Sequence, residues 1–100
     1  MKLYIDTTNS EIVRIGLDGK IFEAESKKEK SQMLLPFIEK TFQENNLTLK
    51  DLTEIEVNTG PGSYTGIRVG VSVAQALAWS LNLPLNGKDI SKEPLEIVYE

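Results

Sequence analysis

The sequence predicts an α/β domain built on a mixed five-stranded sheet, with elements in the order β-β-β-α-β-α-β. Three observations carry this. Residues 2–25 hold three short apolar runs, the second and third joined by Asp18-Gly19. Two later stretches, 31–45 and 65–81, space their apolar residues at helical intervals. Between them lies a short β-type run, Ile55-Glu56-Val57.

Residues 2–6 form the first strand, with Leu3 and Ile5 on one face and Tyr4 on the other. Residues 11–17 alternate, so Val13, Ile15 and Leu17 face one way while Ile12, Arg14 and Gly16 face the other. Asp18-Gly19 turns the chain, because both central positions of a type I′ turn require positive φ. Residues 20–25, with Ile21 and Phe22, complete an antiparallel meander. The charged run 23–30 leads out of it as a solvated connection.

In the first helical stretch Leu34, Ile38 and Phe42 share a stripe that Leu35 and Phe37 widen. Pro36 lies inside it. Proline costs ~3 kcal/mol in a helix interior and little in the first turn, so the helix is expected to start near Leu35 or to kink there. Thr48 and Asp51 have the spacing of a capping box for one helical turn, with Leu47, Leu49 and Leu52 fixing that turn to the core. Residues 54–58 are the fourth strand, which should share the first strand's flank with the meander on its other side. Residues 65–81 are the second helix, stopped by Asn82 and Pro84. A short fifth strand is expected at 83–85, a loop at 87–94 and an additional C-terminal strand at 95–99.

One hundred residues suffice for one domain with a small core. The net charge of −4 argues against holding nucleic acid unaided, since that affinity comes mainly from Lys and Arg on phosphates. Without cysteine there is no disulfide and no thiolate metal site. Without histidine the commonest general base and zinc ligand are both missing. Lys2 and Asp6 interrupt the first apolar run, so no leader is expected there, and Arg68, Ser72 and Gln75 argue against a membrane span in the second helix. The expectation is a soluble, cytoplasmic chain.

The segment 58–70, Asn-Thr-Gly-Pro-Gly-Ser-Tyr-Thr-Gly-Ile-Arg-Val-Gly, stands out. A glycine-rich turn between a strand and a helix exposes backbone N–H groups to an anion. With the polar end of the first strand, the candidate ligand residues are Asp6, Thr7, Thr8, Gly60, Gly62, Ser63 and Thr65. The turn has no P-loop lysine and no dinucleotide spacing. A tight connection whose glycines only solve steric problems is the simpler explanation. In the second helix Gly66, Gly70, Ala74 and Ala78 recur every fourth residue and flatten one face. Such a face admits close helix approach, either within the chain or between subunits. Gly70→Leu or Ala74→Leu is then expected to weaken association while the fold survives.

Several motifs in one order resemble the N-terminal half of the bacterial TsaB proteins. They are Ile5-Asp6-Thr7-Thr8, the hairpin 16–20, Ser31-Gln32-Met33-Leu34-Leu35-Pro36, Leu47-Thr48-Leu49-Lys50-Asp51-Leu52, the glycine turn through Gly70, and Leu83-Pro84-Leu85. The resemblance implies a single actin-like, ribonuclease-H-like half domain over residues 1–87, followed by a tail over 88–100. It implies a non-catalytic scaffold or activating subunit for making threonylcarbamoyladenosine in tRNA. Its partner would be a TsaD-type catalytic subunit, with a TsaE-type ATPase and a second copy of the chain as further partners, tRNA reached only indirectly and no membrane. The interface would lie on the two helices, at Leu34, Phe37, Ile38, Gly66, Gly70, Val73, Ala74, Leu77 and Ala78. ATP and metal belong to the partner complex, with no cofactor bound by this chain alone. The other reading is a stand-alone nucleotide- or anion-binding module. The chain departs from the family pattern in lacking the usual second domain. It also has Lys30 where histidine usually precedes the helix serine, and Thr8 where serine closes the opening triplet.

Overall fold

The computed structural model describes residues 1–26 and 29–92. Four strands, β1 (Lys2–Asp6), β2 (Ile12–Leu17), β3 (Lys20–Glu25) and β4 (Glu54–Val57), make one sheet in the order β3-β2-β1-β4. β1 runs antiparallel to β2 and parallel to β4, as the mixed-sheet expectation requires. The register sets Leu3 against Leu17 and Ile55, and Ile5 against Ile15 and Val57, so one apolar face is continuous across three strands. Asp18 and Gly19 both have positive φ. The Asp18 carboxylate also accepts the Lys2 N–H at 2.9 Å, tying the turn to β1.

Helices α1 (Lys30–Glu44) and α2 (Tyr64–Leu81) cover that face. α2 packs over β1 and β4, and α1 packs over β2 and against α2. Leu34, Ile38 and Phe42 from α1 join Ile67, Val71, Ala74, Leu77 and Ala78 from α2 in one core with the strand residues. No helix among the described residues is long and apolar enough to cross a membrane. On the opposite face the sheet carries charge pairs, Lys2–Glu56 at 3.0 Å and Arg14–Glu23 at 2.5 Å, and leaves Ile21 exposed.

Four expectations change. α1 begins at Lys30 and passes through Pro36, so of the two expectations at that proline the start near Leu35 is the one overturned. Pro36 and Gln32, whose carbonyl loses its helical donor, are both exposed, so water can take that place. Leu49 is not a core anchor: the Thr48–Asp51 box forms, with Thr48 N–H on the Asp51 carboxylate at 2.8 Å, but Leu49 stays exposed while Leu52 is buried. Residues 83–85 do not form a fifth strand. Leu85 makes a single parallel bridge to Ile55, and the chain then reverses through Asn86 and Gly87, both at positive φ, so that Lys88 pairs back on Leu85. The presumed loop thus begins as a tight hairpin. The C-terminal strand expected at 95–99 lies outside the described residues.

The reversal places Asn86 against the free edge of β4. Its side-chain oxygen accepts the Val57 N–H at 2.8 Å, and its amide donates to the Val57 carbonyl at 3.1 Å. One side chain therefore supplies the pair of bonds that a neighbouring strand would have made there.

Candidate functional site

The end of β1, the glycine turn and the N-terminus of α2 meet at one place. Asp6 is buried at the end of β1 and holds Thr8, whose N–H and hydroxyl donate to its carboxylate at 3.0 and 2.7 Å. Arg14 lies 3.6 Å from the other carboxylate oxygen. Burial would raise the Asp6 pKa. The Thr8 hydroxyl and N–H, the Asn58 side chain and the Arg14 charge together outweigh burial and hold it below the usual carboxylate value.

Thr7 is fully buried, and its hydroxyl donates to the Gly66 carbonyl at 2.5 Å. A Cβ on Gly66 would collide with the Thr7 carbonyl oxygen, and one on Gly70 with the Thr7 hydroxyl oxygen. A Cβ on Gly62 would stand 2.6 Å from Thr8 Cβ and 2.8 Å from its carbonyl oxygen. All three glycines therefore serve the seating of α2 and its turn on the end of β1.

The turn's own donors are largely engaged. Gly60 N–H donates to the Asn58 side chain at 3.1 Å, Ser63 N–H to the Thr8 carbonyl at 2.9 Å, and Gly66 N–H to the Ser63 hydroxyl at 3.3 Å. Ser63 is the N-cap of α2. A phosphate nest needs such donors converging on open space. Among the predicted ligand residues, Asp6, Thr7, Thr8, Gly60, Gly62 and Ser63 are instead bound up in the strand–turn–helix joint. Thr65 alone is exposed.

The predicted partner surface is likewise corrected. Leu34, Ile38, Gly66, Gly70, Ala74, Leu77 and Ala78 are buried in the chain's own core. Phe37 and Val73 are half-buried. The flat stripe faces Thr7 and Val57, so Gly70→Leu would disrupt this fold rather than an outer contact. What α2 turns outward is Tyr64 (52% exposed), Arg68, Ser72 and Trp79 (68% exposed). The Arg68 guanidinium lies 5.6 Å from the Tyr64 ring centre. A hollow of about 370 Å³ runs along this face past Ser31, Arg68, Val69, Ser72 and Val73.

A second hollow, of about 380 Å³, adjoins the first at Ser31, Thr65 and Val69 and reaches Ser10, Ser26 and Lys30. The Lys30 ammonium donates to the Ser10 carbonyl at 2.9 Å. Burial lowers its pKa below the ordinary lysine value. Its recess was hidden in the sequence because its walls come from three separate stretches of the chain, at residue 10, residues 26–31 and residues 63–69.

A family model described as "TsaD: tRNA N6-adenosine threonylcarbamoyltransferase" matches residues 18–87. The tRNA threonylcarbamoyladenosine biosynthesis protein TsaB of Bacillus subtilis is 42% identical over 60 residues, covering 60% of this chain and 26% of that protein. The protein of the same name from Buchnera aphidicola (strain Sg) is 43% identical over 61 residues, covering 61% and 29%. Among solved structures, YeaZ from Pseudomonas aeruginosa superimposes with a TM-score of 0.70 at 28% identity, covering 84% of this chain and 40% of that one. The chain thus matches less than a third of the length of these two curated relatives. By the reach of that family model and the identity to these relatives, the chain belongs to the TsaD family and stands with its TsaB members.

Proposed function

We propose that this chain is the sheet-and-helix module of a TsaB-type protein serving tRNA threonylcarbamoyladenosine biosynthesis. In this reading it is a non-catalytic subunit that docks on a TsaD-type catalytic subunit. The names of its relatives supply the process. The observation that supports docking is the outer face of α2. Tyr64, Val69 and Val73 present apolar surface around Arg68, Trp79 is exposed further along the helix, and aromatic and arginine side chains are the usual anchors of protein interfaces. The non-catalytic role rests on the residue inventory. The chain has no histidine, and the Ser63 hydroxyl is held as a helix cap, with no side-chain base hydrogen-bonded to it among the described residues.

The test is assembly with the TsaD protein of the same organism, followed by size-exclusion chromatography with light scattering. Ser72 is exposed, so Ser72→Arg should leave the fold intact while weakening the complex by about tenfold or more. Unchanged assembly of that variant would remove α2 from the interface. Absence of any complex, with the chain folded, would refute the docking role. A self-association that Ser72→Arg abolishes would reassign the face to a second copy.

A further inference from the structure

The hollow at Lys30 is built differently from the outward face beside it. It is walled by the hydroxyl residues Ser10, Ser26, Ser31, Ser63 and Thr65, with the Lys30 ammonium at its edge. Among the described residues no carboxylate lies within ion-pair distance of Lys30, although Glu29 also borders the hollow. Ser10 occupies one of the three ammonium donors through its carbonyl. A half-buried cation without a counter-charge is a desolvated charge still to be compensated, and charge-assisted bonds from a lysine to an oxyanion are among the stronger ones available. The volume, about 380 Å³, falls within the range of small-molecule sites, and the walls are rich in hydroxyl groups rather than purely apolar.

We propose that this recess binds a phosphate group, with Lys30 as its charged anchor and the surrounding serine and threonine hydroxyls as hydrogen-bond donors. The recess shares Ser63, Thr65 and Gly66 with the glycine turn, but its anchor is Lys30 beside Ser10 rather than Asp6 and the engaged backbone donors of the turn. It does not depend on the docking role of α2. A free phosphate ion and the phosphate of a nucleotide share this chemistry, and the experiment separates them.

The protein, isotopically labelled, is titrated with inorganic phosphate and in parallel with ATP, against sodium chloride at matched ionic strength, and followed by amide chemical shifts. Saturable shifts at Ser10, Lys30, Ser31, Ser63 and Thr65 are expected with phosphate. Stronger binding of ATP at the same amides assigns the site to a nucleotide phosphate, and equal or weaker binding assigns it to the free ion. Lys30→Gln should weaken binding by about tenfold or more, while Lys30→Arg, which keeps the charge, should retain most of it. The Lys30→Arg spectrum also shows that position 30 can be changed without unfolding the chain. Shifts that appear equally with chloride, that map elsewhere, or that survive Lys30→Gln unchanged would overturn the proposal.

Discussion

Gly70→Ala puts the seating of α2 on β1 to a direct test. In an exposed helix the change would stabilise by about 1 kcal/mol, because alanine loses less backbone freedom than glycine. Here the new Cβ would collide with the Thr7 hydroxyl oxygen, while Val57 Cγ2, at 3.5 Å, is an ordinary neighbour. Overpacking a tight core costs roughly 1–3 kcal/mol. If Thr7 turns aside, its bond to the Gly66 carbonyl is lost as well, for about 1 kcal/mol more. The net expectation is a destabilisation of about 1–3 kcal/mol, or a fall in Tm of roughly 5–20 °C for a domain of this size. Thr7→Ala removes the obstructing atom. In that background Gly70→Ala should become neutral or mildly stabilising, giving a coupling of about 2 kcal/mol between positions 7 and 70. Gly66→Ala collides instead with the Thr7 backbone carbonyl, so Thr7→Ala should not rescue it. Thermal unfolding followed by circular dichroism on the single and double variants decides the matter. Stabilisation by Gly70→Ala alone, additivity at 7 and 70, or equal rescue of Gly66→Ala would refute this account of the joint.

Two further outcomes follow from the same geometry. Asn86→Ala removes both bonds to Val57 and places alanine at positive φ, so it should cost about 1–3 kcal/mol. Asn86→Gly relieves the strain but not the lost bonds, and urea unfolding should place it between alanine and the natural residue. An unchanged midpoint for both variants would mean that the β4 edge needs no such cover. The Asp6 carboxyl, held below its usual pKa, contributes stability that is present above the unfolded value of about 4 and is lost as pH falls through the folded value. Tm measured downwards from about pH 5 should therefore fall less steeply in Asp6→Asn than in the natural chain, and parallel curves would exclude Asp6 as a source of the acid sensitivity.

Much of the fold was legible because its signals are local. Alternation in residues 11–17 announced which side of β2 is buried, and Val13, Ile15 and Leu17 are all buried there. Asp18-Gly19 fixed the hairpin, and Asn82, at positive φ, closes α2 where expected. One local signal was passed over. Asn86-Gly87 is the same kind of turn dipeptide as Asp18-Gly19, and it marks the reversal that leaves Leu85 with a single bridge instead of a strand. Pro36 misled in the opposite direction. The cost of proline depends on whether the orphaned carbonyl can reach water, and Gln32 is an exposed residue.

The candidate site was less legible, because a residue type does not say what it faces. Thr7 and the glycines at 62, 66 and 70 have the composition of a ligand loop, yet each is engaged by a close approach inside the chain. The Lys30 recess draws on Ser10, Ser26, Ser31 and Ser63, none of which stands out alone.

By itself the sequence determined the α/β class, most element boundaries, the buried faces of the meander and the family. Each of these is encoded in periodicity, turn chemistry or motif order along the chain. Only the tertiary structure decided which way the small-residue stripe of α2 points, that the glycine turn's donors are largely engaged, and that Lys30 stands at a hydroxyl-lined hollow with no ion-paired carboxylate among the described residues. Those outcomes depend on contacts between residues far apart in the chain, such as Thr7 with Gly66 and Gly70. The spacing of residues along one segment cannot record what the opposing segment brings to meet it.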